Sequence, residues 1–163
     1  MDWCRYRFHS RWDLPGPPAA VLAVLRRAEE YPRWWRQVRA VVPAPDGRTG
    51  EARFRSLLPY TLTVTVSRAP GQQAPGVLEV DLGGDLEGWA RWTLVARGAG
   101  TRVLFDQVVD VRRPAMRRLA VPGRPFFRLN HRWMMRGGRR GLRALLAAER
   151  GPGRRSGGER GTV

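Results

Sequence analysis

The 163-residue chain has no lysine and no isoleucine, one asparagine and one cysteine. Codons for Lys, Ile and Asn are A/T-rich, so these absences together indicate a very G+C-rich gene. One cysteine, Cys4, excludes an intramolecular disulfide. The two histidines, His9 and His131, lie far apart, so no Cys/His cluster has metal-ligand spacing and no metal is expected. No apolar run approaches the roughly 20 residues that span a bilayer. The N-terminal MDWCRYRFHSRWD lacks the apolar core of a signal peptide. The expectation is a soluble, cytoplasmic protein. GxSxG, P-loop, GxGxxG and HExxH patterns are all missing, so no cofactor is expected and nucleophilic catalysis is disfavoured.

What the chain does have is arginine: 30 of them against 14 acids, for a net charge of +16. A G+C-rich gene explains Arg in place of Lys, but not the excess. The excess is uneven. Residues 1–113 carry 17 Arg and 12 acids, whereas residues 114–163 carry 13 Arg and 2 acids. Two readings follow for the C-terminal part: contact with an anionic surface or nucleic acid, or a solvated helix face followed by a basic tail. No nucleic-acid motif accompanies the charge, which favours the second and argues against specific nucleic-acid binding. Apolar content of 42% and seven tryptophans indicate one globular domain with a sizeable core.

Hydrophobic period supplies the elements. Cys4–Leu14 alternates, with Tyr6, Phe8 and Trp12 on one face and Arg5, Arg7, His9 and Arg11 on the other, as a half-buried strand does. Prolines 17 and 18 suit a first helical turn, and Val21, Leu22, Leu25 and Ala28 share a helical face that should end before Pro32. PRWWRQV suits a second short helix. In EEYPRWWRQVR, neighbouring residues on a helix are 100° apart, so at least one of Trp34 and Trp35 should pack on the core or a cavity mouth, with Arg33, Arg36 and Arg39 as a solvated rim. About six strands separated by short turns follow to residue 113, an antiparallel meander. Among their one-sided faces are Ala52/Phe54/Ser56, Leu62/Val64/Val66, Ala90/Trp92/Leu94 and Val103/Phe105/Gln107/Val109/Val111. Glu79 and Asp81 share the opposite, wet side of their strand. A long final helix places Phe127, His131, Met134, Gly138, Gly141, Leu142 and Leu145 on one face, with Met135 near its edge, and Arg128, Arg132, Arg136, Arg139, Arg140 and Arg143 on the other. Gly138 and Gly141 on the apolar face permit close approach to the sheet or leave room for a ligand.

This α+β order, carried by EEYPRWWRQVRAV, GWARWTLVARGAGTRVLF and RLNHRWMMRGGRRGLRALL, resembles the START-like or SRPBCC superfamily of polyketide cyclase/dehydrase-like and lipid-transfer proteins. The final helix is similar to a bacterial subgroup with an Asn-His pair, a Met and a Gly-x-x-Gly-Leu ending. The resemblance implies a helix-grip fold over residues 1–149: a curved antiparallel sheet of about seven strands wrapped around the long helix, with two short helices between the first two strands. Residues 150–163 read as a disordered basic tail. It also implies a cavity for an apolar molecule such as a lipid, isoprenoid or polyketide. Its expected walls are Trp35, Phe54, Leu62, Val64, Val80, Trp92, Phe105, Phe127 and Met134. Gln107 and His131 are the expected polar groups, with Ser56 a weaker third. His131 is a candidate acid–base or a satisfied core histidine; Gln107 orients a ligand carbonyl or bonds another buried group. Binding of a small molecule is the first reading and cavity-controlled cyclase/dehydrase chemistry the second, in a monomer or homodimer.

Overall fold

The computed structural model describes residues 4–57, 61–68, 74–119 and 122–151. The tail read at 150–163 lies, from residue 152 on, outside them. The described residues form seven strands: β1 Arg5–Pro15, β2 Val38–Pro43, β3 Thr49–Arg55, β4 Thr61–Arg68, β5 Val77–Gly84, β6 Leu86–Arg97 and β7 Gly100–Val111. They also form four α-helices: α1 Pro18–Arg26, α2 Tyr31–Trp34, α3 Pro114–Leu119 and α4 Arg124–Glu149. No described helix is long and apolar enough to cross a membrane.

One antiparallel sheet has the order β1-β7-β6-β5-β4-β3-β2. Strands β2 to β7 are joined consecutively, whereas β1 crosses to pair with β7, from Arg5↔Asp110 to Pro15↔Gly100. Alternation decides which face is buried. Along β7, Val103, Phe105, Val109 and Val111 are buried, while Leu104 between them is exposed. The inner face lies under α4, which is the helix-grip arrangement.

Three local expectations are corrected. The helix expected to run up to Pro32 ends at Arg26, followed by a single 3-10 turn at Ala28–Glu30. Helix α2 is one turn, because Trp35 leaves it in an extended conformation (φ −113°, ψ 93°). That departure carries the indole to α4, where its Nε1 donates to the Met134 carbonyl at 2.9 Å. On α4 the deeply buried residues are Asn130, Met135, Gly138, Leu142 and Leu146. Met135, expected at the edge, is more buried than Met134, because the stripe drifts around the helix toward its C-terminal end. All six arginines expected on the other face are exposed.

Both tryptophans of EEYPRWWRQVR are buried, and their rings stack at 5.6 Å. Trp35 meets Trp12 of β1 and Trp92 of β6 edge-on, at 5.9 and 6.4 Å. These rings bring the α2 segment onto the sheet. A second apolar cluster, built on Tyr6, Leu62, Val109, Val111 and Met116, lies toward α3.

Candidate functional site: an apolar cavity under the last helix

Between the two clusters the interior is hollow. A cavity of about 360 Å³ lies between the inner sheet face and α4, within the size range of small-molecule sites. Strands β3 to β7 contribute Phe54, Leu62, Val64, Val80, Trp92 and Phe105. Trp35, Phe127 and Met134 line it from the helical side. Exposed lining residues Arg26, Glu29, Arg48 and Arg68 mark its mouth, between the end of α1 and the β2–β3 turn.

Two polar side chains expected from the sequence reach this space. Gln107 of β7 lies in register with Phe8 on β1 and Ala90 on β6, and all three line the cavity. His131 projects from α4 and stacks on Phe8, with ring centroids 3.9 Å apart and planes 8° apart. The Phe105 ring is 6.0 Å away. Burial among these apolar rings pushes the His131 pKa down to about 4, because removal from water penalises the imidazolium. The ring is therefore neutral at pH 7. Its Nε2 is buried and has no hydrogen-bond partner among the described residues. A buried ring nitrogen without a partner costs on the order of 1–3 kcal/mol, a cost that a ligand hydroxyl or carbonyl removes.

Ser56 is corrected. It does not line the cavity; it is buried, and its Oγ donates to Asn130 Oδ1 at 3.4 Å. The glycines of α4 are also resolved. Gly138 leaves room for Trp35 and for Trp12 of the sheet, as expected of a close approach, whereas Gly141 makes room for the Trp34 backbone. Glu79 ion-pairs with Arg91 on the outer side of the sheet. Among the described residues no group of three or more His, Cys, Asp or Glu side chains is placed to hold a metal ion.

Comparison with known families now decides the lineage. Residues 14–147 match the family model described as polyketide cyclase / dehydrase and lipid transport. The chain belongs to that family. No curated protein gives a match. Solved structures that share the fold include the Zhui aromatase/cyclase from Streptomyces sp. R1128, with TM-score 0.74, 12% identity, and 94% of this chain and 99% of that one covered. A START superfamily protein from Mycobacterium smegmatis has TM-score 0.69 at 14% identity, covering 88% of this chain and 98% of that one. The di-domain ARO/CYC StfQ from the steffimycin biosynthetic pathway has TM-score 0.71 at 13% identity, with 92% of this chain matching 53% of that one.

The role of one residue of this polyketide cyclase/dehydrase family member, the Asn of the Asn-His pair, escaped the sequence reading. Asn130 is the only asparagine and sits inside a helix, where Asn is a poor former. Its Oδ1 accepts from the Leu57 backbone N–H at 2.9 Å as well as from Ser56. It thereby ties the end of β3 to α4 one residue before His131, which positions the cavity's ceiling. Asn130→Ala leaves the Leu57 N–H without this acceptor and is expected to cost about 1–3 kcal/mol, read as a lower urea midpoint with an unchanged slope.

Proposed function

We propose that the protein binds an apolar small molecule, lipid, isoprenoid or polyketide-like, in the cavity under α4, with its one polar end at His131 and Gln107. The observation that carries this is the unpartnered Nε2 of His131 inside a hollow, mainly apolar chamber. The apolar body of the ligand gains about 25 cal/mol for each Å² removed from water. The polar end is selected because a buried nitrogen left unpaired is costly. Membership in a lipid transport and cyclase family supports the same reading.

The test is native mass spectrometry of protein purified from its own host, followed by titration with the uncharged fluorophore N-phenyl-1-naphthylamine. A retained molecule, displaced by the fluorophore, is the expected result. Ala90→Phe places a phenyl ring on the inner face between Gln107 and Val80 and is expected to weaken fluorophore binding about tenfold with the fold intact. Absence of any retained molecule together with equal binding by the variant would sink the proposal.

A second reading is ring closure or dehydration of a polyketide-like chain. His131 is a neutral imidazole at pH 7, available as a hydrogen-bond partner and a weak base but not as an imidazolium acid. Its contribution would be to receive a proton from, or orient, a carbonyl-flanked carbon while the cavity holds the chain folded. Product formation from a reactive polyketide, lost in His131→Ala with binding retained, distinguishes this from simple carriage.

A further inference from the structure

On the far side of Tyr6 from the cavity lies a second concavity, about 270 Å³, lined by Arg5, Tyr6, Arg7, Arg124 and Arg128. Among the described residues no carboxylate lines it. Arg5 and Arg7 are two apart on β1 and share its outer face, while Arg124 and Arg128 are one turn apart at the start of α4. Two pairs of like charges thus converge from two elements, a juxtaposition that is unfavourable in the absence of an anion.

Elsewhere on β1 two groups find partners of opposite charge. His9 pairs with Asp106, and Asp13 holds Arg97 and Arg102. Arg5 stands opposite Asp110 in the register, yet among the described residues neither Arg5, Arg7 nor Arg128 forms an ion pair. Arg124 is held in place: its guanidinium lies 5.7 Å from the centre of the buried Tyr6 ring, donates to the Tyr6 hydroxyl and reaches the Arg5 carbonyl at 3.5 Å. The first turn of α4 contains no acid and its N-cap offers no side-chain hydrogen bond, so the positive end of a 26-residue helix adds to the field.

We infer that this four-arginine cleft is an anion site for a phosphate monoester or diphosphate group. Guanidinium forks match phosphate oxygens in pairs, which a cluster of ammonium groups does not. One guanidinium is fixed beside Tyr6 before a ligand arrives, and the other three have, among the described residues, no ion pair to give up on binding. The inference is independent of what fills the apolar cavity. The shared Tyr6 wall means that an anion in the cleft and a ligand in the cavity contact the same ring.

The test is calorimetric titration with inorganic pyrophosphate at an ionic strength of about 0.15 M, beside flotation with phosphatidylcholine vesicles doped with phosphatidic acid. The cleft variant is Arg7→Gln/Arg128→Gln, which spares the anchored Arg124. The control is Arg136→Gln/Arg140→Gln, which removes the same charge from the exposed stripe of α4. The expected result is one pyrophosphate per chain, weakened about tenfold or more in the cleft variant and by less than about twofold in the control. Sensitivity of pyrophosphate binding alone identifies a soluble phosphate ligand. Sensitivity of vesicle binding, with pyrophosphate competing, identifies a lipid headgroup. Equal weakening by both variants, binding only to long polyanions, or no binding in either arm overturns the site.

Discussion

Gly141→Ala is expected to destabilise the protein by about 3 kcal/mol or more, a fall in melting temperature on the order of 6–12 °C for a chain of this size. Ordinarily the change is favourable, because alanine is better than glycine inside a helix by about 1 kcal/mol. Here a Cβ on residue 141 would lie 1.6 Å from the carbonyl oxygen of Trp34 and 2.7 Å from its carbon. Both are backbone atoms, so no side chain can swing aside, and α4 must move away from α2 by more than an ångström. That movement also pulls the Met134 carbonyl from the Trp35 indole, which donates to it at 2.9 Å. Gly137 supplies the internal comparison. A Cβ there would meet first the side-chain amide of Gln37, with Oε1 at 2.2 Å, Nε2 at 2.5 Å and Cδ at 2.7 Å. A side-chain amide can rotate, so Gly137→Ala should fall within about 1 kcal/mol of the parent, where the helix-propensity gain offsets the adjustment. Thermal melts of the two variants side by side decide the matter. Equal stabilities would mean that α4 does not seat on α2 as described.

The second large effect is a pH dependence. His131 has a folded pKa of about 4 against 6.5 in the unfolded chain, and burial is the cause. No charged group contributes. The folded state therefore binds fewer protons than the unfolded state between these values, and stability falls as pH is lowered through 6.5 toward 4. Each unit of difference is worth 1.36 kcal/mol, so the full loss is on the order of 3 kcal/mol and is complete below about pH 4. Acid also acts on the rest of the protein, so total stability is not the diagnostic. The diagnostic is the difference between the parent and His131→Phe, whose phenyl ring keeps the stack on Phe8 and has nothing to titrate. Urea unfolding at pH 7 and pH 4.5 should show the parent losing more than the variant. Parallel loss in both would mean that His131 is hydrated in the folded protein.

Much of this architecture could be read from one sequence because its strands are one-sided. Leu62 and Val64 on β4, or Trp92 and Leu94 on β6, are buried and alternate with less buried neighbours, and that period fixes both the element and the face it buries. The candidate wall residues, from Trp35 to Met134, all line the same cavity for a simple reason: the inner sheet face and the helical stripe have only one space to share. What stayed hidden depends on atoms distant in sequence. Trp35 abandons its helix for a carbonyl 99 residues away. Whether the space is hollow is a sum of side-chain volumes in three dimensions, to which residue type alone is blind. Asn130 reads as a weak helix former until Leu57 is seen beside it. Arg5 and Arg7 read as solvated until Arg124 and Arg128 converge on them.

The pairing of β1 with β7 also has a consequence in time. Tyr6, Phe8, Trp12 and Leu14 lie on a strand made early, whose partner residues 101–109 are made about ninety to a hundred residues later. At about 5–20 residues per second of synthesis, that strand waits on the order of 5–20 s with an apolar face and no partner. Every other strand pair joins neighbours in the chain and can close as it emerges. The most aggregation-exposed surface of this protein thus belongs to the nascent chain, and its arginine-studded opposite face, Arg5, Arg7 and Arg11, keeps that waiting strand charged and solvated.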